Sequence, residues 1–160
     1  MKKFLLVLAT LVGFATAASA QSKALGLRLG GYNSEISYEH NFGGADFLET
    51  ELGASRNDAG FGFRATGIYN WMIAQPNWTN RGEWGFYGGV GGSLGASPYE
   101  DNGLLFSAAV VGQIGLEYSF WFPLQLAIDI RPAIGLVGSH FYSSGLVEGI
   151  WPTLSVRYSF

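Results

Sequence analysis

The chain has no cysteine, so disulfides and thiolate metal sites are excluded. Lysine is nearly absent as well: Lys2, Lys3 and Lys23 are all there is. Charged residues make up 13% of the 160, too few for the mixed-sign coat of a soluble domain. A membrane-spanning helix needs about 20 consecutive apolar residues, and no run reaches that length. The longest weakly polar stretch of the later chain, 104–116, is shorter and carries Ser107 and Gln113. No repeat of solenoid length, linker or second composition zone is present. What the chain does have is glycine, 24 residues of it, and 16% aromatic residues.

The first twenty residues stand apart. Lys2 and Lys3 give a basic start, and an apolar run from Phe4 to Phe14 follows, broken only by Thr10 and Gly13. Ala18-Ser19-Ala20 has the small-x-small form that signal peptidase cleaves, which predicts a signal peptide over 1–20 and a mature domain over 21–160. Of nine basic residues two leave with the signal, so seven face twelve acidic ones, a net charge of −5. That balance argues against a nucleic-acid partner, which calls for a basic surface.

The mature chain alternates apolar and polar residues in eight segments, near 23–31, 35–42, 47–55, 61–72, 83–95, 104–120, 122–136 and 150–160. The seventh is typical: Leu124, Leu126, Ile128, Ile130 and Ile134 oppose Gln125, Ala127, Asp129 and Arg131. Gly, Asn, Asp and Pro clusters punctuate the segments, among them Gly43-Gly44-Ala45-Asp46, Asn57-Asp58-Ala59-Gly60 and Ser97-Pro98 through Asn102-Gly103, with a last loop over 138–149. Strands of about 9 to 11 residues cross a bilayer when tilted. A chain without spanning helices can enter a bilayer only as a closed barrel, because only closure satisfies every backbone donor and acceptor.

Period two fits two opposite objects. A soluble barrel turns the apolar face in, and a membrane barrel turns it out. Three features favour the membrane form. The polar face is rich in Gly, Ser and Ala, which suit a narrow interior. Its charges are of both signs: Arg28, Arg64, Arg131 and Arg157 against Glu39, Glu49, Glu51, Glu117 and Asp129. Aromatic residues gather at one set of strand ends: Phe42, Phe47, Tyr69, Trp71, Trp84, Phe86, Tyr118, Phe120, Trp121, Phe122, Tyr158 and Phe160. The fold predicted is all-β, an eight-stranded antiparallel up-and-down transmembrane β-barrel behind a cleaved signal peptide.

At the end of the chain, Leu154, Val156, Tyr158 and the terminal Phe160 alternate with Ser155, Arg157 and Ser159. This ending, with the eight segments, resembles the small outer-membrane β-barrel proteins of Gram-negative bacteria, the OmpA-barrel and OmpX-like group. The resemblance implies an outer-membrane location, a C-terminal insertion signal at Leu154, Val156, Tyr158 and Phe160 read by the barrel assembly machinery, and outer-membrane lipids and lipopolysaccharide as surroundings. It implies a monomer without cofactor. Nothing follows Phe160, so the peptidoglycan-binding domain of some relatives is not expected, and the short loops depart from the adhesive members.

Eight strands enclose a space that side chains largely fill, so the interior charges are expected to pair rather than line a wide channel. Arg28 is placed beside Glu39, Arg64 against Glu49 or Glu51, and Asp129 and Arg131 beside Gln113 and Glu117. The cluster predicts a plug with a structural or surface-interaction role. The alternatives are a narrow solute path and a lipid-modifying hydrolase using His140 and Ser143. The latter departs from the His-x-Ser spacing of such enzymes, since Tyr142 stands two residues after His140. Gly88 to Gly95 resembles a phosphate-binding loop but lacks its Lys-Ser/Thr ending. His40 is read as an interfacial side chain. Phe141, Tyr142, Leu146 and Val147 in the last loop could touch a partner or fold over the mouth.

Overall fold

The computed structural model of the chain describes residues 22–30, 33–57, 60–99, 103–137, 140–143 and 152–160. The segment read as a signal peptide lies outside them, as do Leu146 and Val147. The strands are β1 (Lys23–Gly30), β2 (Asn33–Asn41), β3 (Asp46–Asn57), β4 (Gly60–Ala74), β5 (Glu83–Tyr99), β6 (Gly103–Ser119), β7 (Gln125–Ile130), β8 (Ala133–Val137), β9 (His140–Ser143) and β10 (Thr153–Ser159). Every pairing is antiparallel. β1 pairs with both β2 and β10, and β5 pairs with β6, so the sheet closes on itself. β7 and β8 both lie along β6, and together they form one stave. β9 runs along β8 and β10 along β7, forming the next stave. The result is a closed barrel of eight staves, up and down in chain order.

Three boundaries differ from the sequence reading. The seventh segment is not continuous. Proline has no N–H to donate to a ladder, and the strand breaks at Arg131-Pro132, where the Pro132 carbonyl accepts from the Gly112 N–H at 2.9 Å. The expected last loop begins as strand instead, with His140 opposite Val137. The hairpin of β5 and β6 climbs further than its turn residues suggested, putting Pro98 opposite Leu104. The ladder with β4 has stopped at Ala96 by then, so the proline does not interrupt a two-sided sheet.

Burial is inverted relative to a soluble barrel. Arg157 keeps 1% of its surface exposed, while Leu52 keeps 67%. Outward positions carry Leu27, Ile36, Leu94, Val110, Ile128 and Leu154, all exposed. Inward positions carry the charges, glycines and serines. One apolar layer does lie inside: Ile68, Phe47 and Tyr87 are buried, the last two edge to face at 5.2 Å. Ile68 therefore belongs on the inner face, and Phe47 leaves the aromatic girdle to which its place at a strand end had assigned it.

The glycine run 88–95 lies within the β5 ladder and is not a loop. Glycine matters most at Gly115, because a Cβ there would fall on the ring of Tyr87. At Gly67, on the outer wall, a Cβ would meet nothing within 4 Å. Gly115→Val should destabilise the barrel by about 1–3 kcal/mol through overpacking. Gly67→Ala should stay within about 0.5 kcal/mol. Urea unfolding of both variants, refolded in detergent, measures the contrast.

Candidate functional site

The period of two turns every second residue of each strand into the lumen. β1 supplies Arg28, β2 supplies Glu35, Ser37 and Glu39, β3 supplies Glu49 and Glu51, and β4 supplies Arg64. β6 supplies Gln113 and Glu117, β7 supplies Gln125 and Asp129, and β10 supplies Arg157. Arg131 enters from the break after β7. All but Arg64 have side chains almost withdrawn from solvent.

Three arginines organise the cluster. Arg28 donates to Glu35 and to Asp129, each at 2.8 Å, with Glu51 at 3.7 Å. Arg131 spans Glu49 at 3.0 Å, Asp129 at 3.1 Å and Glu51. Arg157 donates to Ser37 at 2.9 Å, to Glu39 and Gln125 at 3.4 Å, and to Glu49. Gln113 adds a bond to Glu49 at 2.9 Å, and Thr153 one to Asp129 at 3.0 Å. These contacts cross the lumen and tie β1, β2, β3, β6, β7 and β10 together. The chemistry suits guanidinium, whose planar fork serves several carboxylates at once, where a lysine offers a point charge.

The expected partners are only partly the observed ones. Arg28 meets Glu35, its direct cross-strand neighbour, and not Glu39, which lies opposite Ala24 and bonds to Arg157. Arg64 does not reach Glu49 or Glu51. Its direct neighbour on β3 is Gly53, and Glu35 leans across that residue, its carboxylate oxygen 2.9 Å from where a Cβ would stand, to bond Arg64 at 2.7 Å. Arg131 turns to Glu49 and Glu51, away from Glu117. Glu117 accepts from Gln125 at 3.2 Å and pairs with no arginine among the described residues. Glu35 escaped the sequence reading because it stands where β2 was thought to begin, although its parity matches Ser37 and Glu39.

At the end of the barrel that holds both described chain ends, the aromatic side chains touch in sequence. Phe42 stacks on Tyr69 at 6.0 Å, Trp84 lies tilted against Tyr118 at 4.7 Å, and Tyr118 meets Phe120 edge-on at 4.6 Å. At the opposite end Phe61, Phe63 and Phe106 also point outward, a second group the turn positions had not suggested. Leu154, Val156, Tyr158 and Phe160 all face outward, and the Phe160 backbone exchanges hydrogen bonds with Lys23 at 3.0 and 2.7 Å. His40 lies 3.2 Å from the Tyr38 hydroxyl and edge-on to Phe42. No group of three or more potential metal ligands occurs among the described residues. The side chains of His140, Phe141, Tyr142 and Ser143 lie outside the described set.

A closed eight-stave antiparallel barrel, polar within and apolar without, defines the class: it is the architecture of the small membrane-barrel domains. The particular likeness is to the crystal structure of the N-terminal β-barrel domain of Pseudomonas aeruginosa OprF, with a TM-score of 0.64 at 12% sequence identity, covering 88% of this chain and 96% of that one. The chain has the fold of that domain. No protein-family model and no curated protein sequence matches it.

Removing one partner of a buried ion pair costs about 3–5 kcal/mol, because the remaining charge is stranded. Arg157→Met, which leaves Glu39 without an arginine and Glu49 with Arg131 alone, should lose stability of that order in urea unfolding. Arg157→Met with Glu39→Gln should recover part of the loss, as a double-mutant cycle would read.

Proposed function

We propose that the mature chain is a small monomeric outer-membrane barrel whose lumen is closed by its ion network, with a structural or surface-interaction role and no open pore. The observation that carries this reading is the inversion of the wall. Exposed leucine, isoleucine and phenylalanine would be shielded by acyl chains, and charge is satisfied by charge inside. In water such an exterior would be a large aggregation-prone surface. A hydrocarbon surrounding explains both faces at once, since only a closed barrel or a helix satisfies the backbone there.

In this reading the surroundings are outer-membrane lipids and lipopolysaccharide. The outward row Leu154, Val156, Tyr158 and Phe160 serves as the signal to the assembly machinery. Arg28, Arg131 and Arg157 each reach across to carboxylates on other strands, which leaves the lumen as a register-fixing plug. The OprF domain of similar shape supports the location.

Two measurements test the reading. The wild-type mature chain in planar lipid bilayers should give no stable large conductance, and Arg157→Ala should raise the frequency of brief openings. A stable large conductance in the wild type would refute the plug. Leu52→Arg, near the middle of β3, should cost up to about 2–4 kcal/mol in vesicles. An unchanged unfolding midpoint would refute the membrane location.

A further inference from the structure

We infer that the girdle at the end holding both chain ends binds a glycerophospholipid by its phosphate, with Arg81 as the anion-binding group. This rests on the outer-membrane reading, which sets that girdle at the level of the headgroups of one leaflet. Arg81 lies in the connection 75–82 between β4 and β5. The arginines of the described ion pairs are all lumenal: Arg28, Arg64, Arg131 and Arg157. Arg81 is exposed, and no carboxylate among the described residues pairs with it.

The turn that carries Arg81 is held in place. Its carbonyl accepts from the Tyr118 hydroxyl at 2.6 Å and from the Thr79 hydroxyl at 2.9 Å. The next residue, Gly82, has a φ of 75°, in the left-handed region that favours glycine, and packs against Tyr118. The guanidinium carbon lies 5.8 Å from the centre of the Trp121 ring. That distance allows a cation–π contact and leaves the N–H edges of the fork free for a ligand. Beside it, Trp84 packs against Trp78 at 5.4 Å, and its indole N–H is buried with no acceptor among the described residues. Trp78 and Trp121 are exposed.

The patch thus offers a guanidinium on a fixed turn and two exposed indole rings, beside an indole donor that is buried without an acceptor. A phosphate answers the guanidinium with charge and with paired oxygens. An acyl chain answers the indole rings, whose apolar bodies and polar edges suit the membrane interface. A glycerophospholipid carries both parts in one molecule.

The test uses the mature barrel in dodecyl maltoside, a detergent without phosphate, titrated with phosphatidylglycerol and read by native mass spectrometry. Folding is judged by circular dichroism and by the shift of the unheated protein on a denaturing gel. Arg81→Gln should weaken retention of phosphatidylglycerol by about tenfold. Trp121→Leu should weaken it less, and Lys23→Gln should leave it unchanged. Equal retention by Arg81→Gln in a folded barrel overturns this inference alone. An equal loss in Lys23→Gln also overturns it, because diffuse attraction then accounts for binding. A wild-type chain that does not fold in the micelle overturns the outer-membrane reading and this inference with it.

Discussion

Everything in this barrel depends on placing four guanidiniums and six carboxylates inside a ring of strands whose outer surface is apolar. A buried charge is costly when alone and tolerable when its donors and acceptors are all met. The lumen comes close to that condition by register, with Glu117, held by Gln125 and by no arginine among the described residues, as the exception. Arg28 stands opposite Glu35, and Arg157 stands opposite Gln125, because β1, β2, β7 and β10 are aligned as they are. A slip of one residue on any strand would turn its charges into the outer wall and its leucines inward. The network is weak evidence for raw stability, since a well-packed apolar core of equal volume could do as well. It is stronger evidence for specificity.

The outer wall states the same constraint from the other side. Its outward positions are mostly large apolar residues with a few small ones such as Ala65 and Gly67 among them, and aromatic residues mark both ends of the band. The contacts among Trp84, Tyr118 and Phe120 show how such a girdle is built. Each ring stands on a neighbouring strand or a neighbouring rung, so the sheet geometry lays out the aromatic stack.

Most of the architecture was legible in the sequence, because strand parity is a one-dimensional property. The two faces of β6 can be read directly from Phe106, Ala108 and Val110 against Ser107, Ala109 and Gln113. What was not legible is what depends on the third dimension. Parity says that Arg64 faces inward. It does not say that the missing side chain of Gly53 lets Glu35 reach over a whole strand to meet it. Strand ends were misjudged where a residue with turn character, such as Pro98, sits in the ladder of a projecting hairpin. Phe47 was misplaced because position near a turn was weighed above its parity with Glu49. Of the candidate site, the membership was visible except for Glu35, and the pairing was mostly not.

The separation of the paired charges along the chain has a consequence for how the molecule is made. Arg28 bonds a carboxylate 101 residues away, and Arg157 bonds Ser37 across 120. Bridges of this span bring almost no reward to a partly formed sheet, since loop closure must be met before the contact exists. A chain that has laid down only its first staves holds acidic side chains whose arginine partners have not yet arrived. The last stave delivers Arg157 and hydrogen-bonds to the first in the same event. Completion is therefore cooperative, and the seam between β1 and β10 is where an unfinished product differs most from a finished one.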